Sequence, residues 1–283
     1  AGSFDVSSRS LNIDGEDYYY LEAGSQHIET IVFLHGFGLS RNHWRGLIHL
    51  TCGRFRVIAL EVPGLSQTVQ LGSASYSLKN LADWLSRFLV ARDLRECHLI
   101  GFSAGACIAA YQAAACPDRL KSLGLIGFPD LEYQARNLFN NSFDPCHIQN
   151  VNNLEDVIAL WNRQFFDPPK LPKIMSRMYL HAFKSQKPFY TRVFSDISQS
   201  APLLMARLHR IQTPTLLLRG SKDSFCSINT LSVLKSIIPQ AKLREIQNAG
   251  HLVYLEKQVA VSEHITRFIE NIPQKNRDMV RIA

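Results

Sequence analysis

Six short apolar runs, spaced by stretches of helical periodicity, limit the folds open to this chain. They cover residues 30–34 (TIVFL), 56–60 (RVIAL), 97–100 (CHLI), 123–126 (LGLI), 214–218 (PTLLL) and 242–246 (KLREI). A strand with one wet face alternates apolar and polar side chains; an unbroken apolar strand is covered on both faces. The last run alternates more than the others and is expected nearer an edge. Between the runs, Leu78, Leu81, Trp84, Leu85, Phe88 and Leu89 recur at helical spacing behind Ser77, a natural N-cap. Residues 228–238 and 255–272 carry two more amphipathic patterns. Strand and helix in alternation predict an α/β fold: a mostly parallel sheet with helices on both faces. Upstream, residues 10–13 and 18–22 read as a hairpin turning at Asp14-Gly15.

The alternation stops between about residues 129 and 210. Twelve of the chain's 28 aromatic side chains fall between Phe128 and Phe194. This stretch reads as a helical insertion over one end of the sheet. Most of its aromatics would form the insertion's own core, and a few would face a ligand pocket. The expected organisation is a core of residues 1–128 and 211–283, interrupted by a cap at 129–210.

One strand ends in a sequence that carries chemistry. Gly101-Phe102-Ser103-Ala104-Gly105 fits G-x-S-x-G, with the strand before it and the alanine-rich residues 104–115 as a helix after it. A turn this sharp strains the serine backbone, and a Cβ on either flanking residue would strike neighbouring main chain. A serine hydroxyl needs a base to take its proton. Of ten histidines, His98 falls in a strand, His264 on a helix face, and His49 and His209 among surface charges. His251 lies in a loop after the last strand, behind Gly250, where α/β sheets place their chemistry. Asp223 follows the fifth run and could orient that histidine; Asp130 is the fallback acid. An oxyanion needs waiting N–H donors. His35-Gly36-Phe37-Gly38 ends an early strand, and the N–H groups of Phe37 and Ala104 are the expected pair.

Taken together, "FLHGFG", "EVPGLSQT", "IGFSAG", "RGSKDSF" and "NAGHLVYLEK" resemble, in order and spacing, the α/β-hydrolase superfamily. Its capped esterases, monoglyceride lipases and carbon–carbon bond hydrolases are the most similar branch. The resemblance implies an eight-stranded, mostly parallel sheet with a cap inserted after the sixth strand. It implies Ser103 as nucleophile, His251 as base, Asp223 as acid, and Phe37 and Ala104 as oxyanion donors. A serine nucleophile disfavours epoxide opening and dehalogenation, which relatives perform with aspartate. One segment departs from the family's Asp-x-Pro-Gly-x-Gly-x-Ser: Glu61-Val62-Pro63-Gly64-Leu65-Ser66-Gln67-Thr68 keeps Pro-Gly but changes the flanks.

The leading expectation is a serine hydrolase that cleaves a carboxylic ester with an apolar acyl or aromatic moiety. Carbon–carbon bond cleavage, thioester cleavage and a receptor role on the same fold are the alternatives. No metal or organic cofactor is implied. The six cysteines, Cys52, Cys97, Cys107, Cys116, Cys146 and Cys226, show no CxxC or zinc spacing. Scattered free thiols, no apolar span and no evident leader point to a cytoplasmic protein. The net charge of +7 includes a basic stretch, residues 163–192, with seven Lys and Arg against Asp167 alone. Its ordinary reading is a solvated face; its sharper reading is attraction to an anionic substrate or lipid surface. Nucleic acid is not an expected partner.

Overall fold

The computed structural model describes residues 5–66, 75–130 and 151–273. Its eight strands are β1 (Ser7–Ile13), β2 (Glu16–Ala23), β3 (Thr30–Leu34), β4 (Arg56–Leu60), β5 (Cys97–Phe102), β6 (Leu120–Ile126), β7 (Thr215–Gly220) and β8 (Lys242–Ile246). They form one sheet in the order β1-β2-β4-β3-β5-β6-β7-β8. The first hairpin is antiparallel, β2 meets β4 antiparallel, and the remaining strand pairs are parallel. The hairpin turn falls at Asp14 (φ 53°) and Gly15 (φ 83°), as its dipeptide predicts. Both hairpin strands are longer than their apolar patterns, because β1 is an edge strand with mostly polar, exposed side chains. As expected, β8 lies at the opposite edge.

The apolar runs are continuous because each strand feeds two cores. Val32, Leu34, Ile58, Leu60, Leu99, Leu123, Leu125 and Leu217 join one cluster. The alternate residues, Ile31, Phe33, Val57, Ala59, Ile100, Phe102, Ile126, Leu216 and Leu218, join the other. The first core is roofed by α2 (Leu78–Ala91) and α3 (Ala104–Ala115). Ser77 caps α2, its hydroxyl accepting from the Asn80 N–H. The second core is roofed by α1 (Arg45–Thr51), which the apolar pattern does not reveal, and by the C-terminal helices. The pattern over 255–272 predicts one helix; the chain instead forms two, Val253–Glu256 and Gln258–Glu270, broken at Lys257 (φ −129°, ψ 50°).

Between β6 and β7 the described residues form α4 (Leu154–Gln164), α5 (Lys173–Ser185), α6 (Lys187–Gln199) and α7 (Ala201–Met205). A small cluster of Val151, Val157 and Leu160 packs with Tyr179, Leu180 and Phe183. Tyr133, Phe139, Phe143 and Cys146 lie outside the described residues. The other five cysteines are free thiols, and burial pushes Cys97 up to about 12. No helix among the described residues is long and apolar enough to cross a membrane.

One buried group in β5 links stability to pH. His98 is almost wholly enclosed, with Nδ1 2.8 Å from the Ser122 hydroxyl. Burial lowers its imidazole from an ordinary 6.5 to about 4, against the pull of Glu29. The unfolded chain therefore takes up this proton first as the solution is acidified. Stability held through His98 is full above about pH 6.5 and drains by about 3 kcal/mol towards pH 4. Urea unfolding midpoints between pH 7 and pH 4.5 should fall more steeply for the wild type than for His98→Gln.

Candidate active site

Ser103 sits alone between β5 and α3 at φ 52° and ψ −120°, a backbone conformation that few non-glycine residues adopt. Its N–H donates to the Ile126 carbonyl at 2.9 Å, which ties the turn to the end of β6. The two glycines of the motif have separate reasons. A Cβ on Gly101 would overlap the backbone of Gly105. A Cβ on Gly105 would stand 2.5 Å from both the Leu34 and the His35 carbonyl oxygens. The start of α3 is thus pressed against the end of β3.

That contact brings the loop after β3 beside the serine. An added Cβ on Gly36 would lie 3.0 Å from the Ser103 Cβ. The Phe37 N–H has no backbone acceptor among the described residues. Ala104 opens α3, where N–H groups have no carbonyl one turn earlier to accept them. His35, not singled out among the ten histidines, holds this loop. It is fully buried, its Nδ1 lies 2.8 Å from the Gly36 carbonyl, and its Nε2 accepts the Val62 N–H at 2.9 Å. Those bonds define a neutral ring with the proton on Nδ1. Fixing the Gly36 carbonyl fixes the Gly36–Phe37 peptide plane, and so the direction of the Phe37 N–H. Glu61, the residue at the altered start of the Pro-Gly segment, is buried beside this ring: Oε1 is 3.5 Å from His35 Nε2, and Oε2 accepts the Arg41 N–H at 3.3 Å.

The acid and base candidates meet directly. His251 Nδ1 lies 3.0 and 2.9 Å from the two carboxylate oxygens of Asp223, both residues being buried. Asp223 Oδ1 also accepts the N–H groups of Phe225 and Cys226 at 2.8 and 2.9 Å. Asp223 is held in turn by Arg219, which donates to the Asp223 and Cys226 carbonyls and pairs with Glu245. Lys222 N–H donates to the Ala249 carbonyl, stitching the two loops together. The fallback Asp130 accepts instead from the Thr230 hydroxyl at 3.4 Å.

The His251 ring packs against both Phe102 and Phe225, each with its centroid 4.7 Å away. Phe102 immediately precedes Ser103, so one side chain contacts the histidine while its neighbour carries the hydroxyl. Behind Phe102 an aromatic column runs through Tyr254 and Trp44 to Phe33, with centroid spacings of 4.8, 4.4 and 4.5 Å. Gly127 must be small as well: its φ is 56°, and a Cβ would stand 3.2 Å from the imidazole. The Ser103 hydroxyl itself has no hydrogen-bond partner among the described residues, and His, Cys, Asp and Glu form no metal-binding cluster among them.

The sequence profile described as alpha/beta hydrolase fold matches residues 29–258. The chain belongs to that family. It is a hydrolase, and its similar proteins include the monoacylglycerol lipase ABHD6 of Rattus norvegicus, 23% identical over 93% of this chain and 83% of the relative. Lipase 1 of Psychrobacter immobilis is 26% identical over 89% of this chain and 80% of its own length. Among solved structures, a bacterial membrane phospholipase A superposes with a TM-score of 0.84 at 26% identity, covering 94% of this chain and 86% of the other. A 2-hydroxy-6-oxo-6-phenylhexa-2,4-dienoate hydrolase from a Rhodococcus strain shares the fold at a TM-score of 0.74 and 18% identity, over 95% and 100% of the two chains.

The two kinds of small residue at the turn should separate in experiment. Gly105→Ala forces a methyl group into two carbonyl oxygens and should cost about 3 kcal/mol in urea unfolding. Ser103→Ala leaves every backbone contact in place and should unfold within about 0.5 kcal/mol of wild type.

Proposed function

We propose that this hydrolase cleaves carboxylic esters through an acyl-enzyme on Ser103, with His251 as base, Asp223 as its partner, and Phe37 and Ala104 N–H groups as oxyanion donors. The observation that carries the reading is the buried Asp223–His251 pair set against Phe102, the residue before a serine held at positive φ. Asp223 accepts from Nδ1, which leaves Nε2 as the basic nitrogen. As Ser103 Oγ attacks the ester carbonyl, His251 Nε2 takes its proton. The oxygen that gains charge is met by backbone N–H groups already in place, one of them at the start of α3. Collapse of the tetrahedral species breaks the bond to the alkoxy oxygen, which leaves with the proton from His251. Water then enters and gives a proton to His251 as its oxygen attacks the acyl carbon. Collapse of this second tetrahedral species breaks the bond to Ser103 Oγ, which takes the proton back from His251 as the carboxylic acid leaves.

The acyl group we infer is apolar and chain-like. The Phe37 ring packs 5.1 Å from Tyr190 and 6.4 Å from Phe194, so the proposed oxyanion loop adjoins aromatic side chains of α6. We assign residues 129–210 as a cap on that basis. Lipases among the similar proteins, and a phospholipase among the similar structures at 26% identity, support an acyl-lipid ester over a small polar one.

Fluorophosphonate labelling tests the nucleophile: wild type should label and Ser103→Ala should not. Asp223→Asn should lower kcat on p-nitrophenyl esters by about 10⁴-fold while the protein stays folded. Rates should rise with acyl length, and monoacylglycerols should be cleaved. A folded wild type that neither labels nor hydrolyses any ester of the series overturns the reading.

A further inference from the structure

We propose that α5 is a docking face for anionic lipid bilayers, an inference that rests on the acyl-lipid reading of the site beneath it. A surface helix normally turns its apolar side inward and its polar side out. Helix α5 has an apolar inner side: Tyr179, Leu180 and Phe183 pack on the α4 cluster, and Ser176 is buried with them. Its outer side is apolar as well. Ile174 and Met178, one turn apart and opposite those residues, are 66% and 65% exposed, and Met175 is 39% exposed. Only Ile28 among the large exposed apolar side chains of the described residues is barer. Single exposed apolar residues are ordinary; a pair at the apex of one helix has no folding benefit.

The flank of that apex is cationic. Lys173, Arg177 and Lys184 fall on one side of it by helical spacing, and Lys170 stands just before the helix. None of the four forms an ion pair among the described residues, and the sequence has no Asp or Glu between residues 168 and 195. Bare apolar side chains beside unpaired cations match a bilayer interface, where methyl groups enter the acyl boundary and ammonium and guanidinium groups meet lipid phosphates. The cations alone would suit any polyanion, and the apolar apex alone a second protein; together they select the lipid surface.

The helix is also connected to the proposed base through α4. Tyr179 stacks on Trp161 of α4 at 6.1 Å, and Trp161 contacts Phe165 at 4.9 Å. The carbonyl of Gln164, the last residue of α4, accepts the N–H of Leu252, the residue after His251, at 2.9 Å. A bilayer on the outer side of α5 would therefore be linked to the loop that carries the histidine through the inner side of α5 and through α4.

Flotation of the full chain as Ser103→Ala, which cannot consume the lipid, tests this without turnover. The protein should float with vesicles containing about 30 mol % phosphatidylglycerol in phosphatidylcholine, and not with pure phosphatidylcholine. Lys173→Gln with Arg177→Gln should weaken partitioning by about 30-fold, and about 0.5 M NaCl should do likewise. Ile174→Ser with Met178→Ser should weaken it at low salt too. Hydrolysis of a short, water-soluble ester by the same pairs in the wild-type background should be unchanged. Equal flotation with neutral lipid, or unaltered flotation of both double variants, overturns the proposal. So does a concentration-dependent dimer that the Ile174/Met178 pair abolishes while lipid binding is absent. Wild type that cleaves soluble esters but ignores anionic vesicles removes the docking face and keeps the esterase; flotation without any hydrolysis does the reverse.

Discussion

Everything at this site depends on one backbone approach: the first turn of α3 against the end of β3. Gly105 can come within reach of the Leu34 and His35 carbonyls only because it lacks a Cβ, and Gly101 must be bare for the same turn to close. That closeness sets Ser103 beside Gly36. It also explains the composition of α3. Its alanines, from Ala106 to Ala114, are almost all buried, and a bulkier helix could not lie so near the sheet. The strain at Ser103 is held by this packing and by the bond from its N–H to Ile126.

Asp223 and His251 are placed differently, by polar ties between loops. Asp223 is oriented by two backbone N–H groups before it meets the imidazole, and Arg219 grips the loop from beneath through two carbonyls and Glu245. A buried carboxylate with its lone pairs engaged in this way has one geometry to offer. The imidazole gains its remaining restraint from aromatic faces. Phe102 and Phe225 both pack on the ring, and the column behind Phe102 carries that restraint into the core at Trp44. The serine therefore depends on main-chain sterics, and the histidine on hydrogen bonds and ring packing.

That division decides how much could be read from the sequence. Strands buried on both faces leave an unbroken apolar signature, so β3 to β7 are legible, while the polar edge strand β1 is only partly so. G-x-S-x-G is legible because the steric demand falls on adjacent residues. Asp223 and His251 are legible as loop residues at strand ends, but their contact spans 28 positions and no local pattern encodes it. His35 was hidden by its use. A histidine beside a glycine-rich turn looks like any loop residue until Val62 and Gly36 are seen to bond its two nitrogens. Glu61 was visible only as a departure from a motif; the structure shows a buried carboxylate against His35 and the Arg41 N–H. The break at Lys257 is invisible for another reason, since apolar periodicity runs across it undisturbed and only the φ and ψ of that residue differ.

Glu256 shows how the segment after α4 and the loop after β8 are held together around His251. One of its carboxylate oxygens accepts the Gly250 N–H at 2.6 Å, and the other accepts the N–H groups of Phe166 and Asp167. A single side chain thus fastens the residue before His251 to the segment just after α4. Gly250 has to be glycine for this join, because a Cβ there would stand 2.6 Å from the Phe165 carbonyl carbon. Shear between α4 and the sheet would have to break the charge-assisted bonds from Phe166 and Asp167 to Glu256 together with the Leu252–Gln164 bond, which ends on the residue after His251. The chain between β6 and β7 is therefore not an appendage to a finished site. Its first described helix is one of the walls that keep His251 in place, so the energy that folds α4 onto the sheet is also energy that orients the ring.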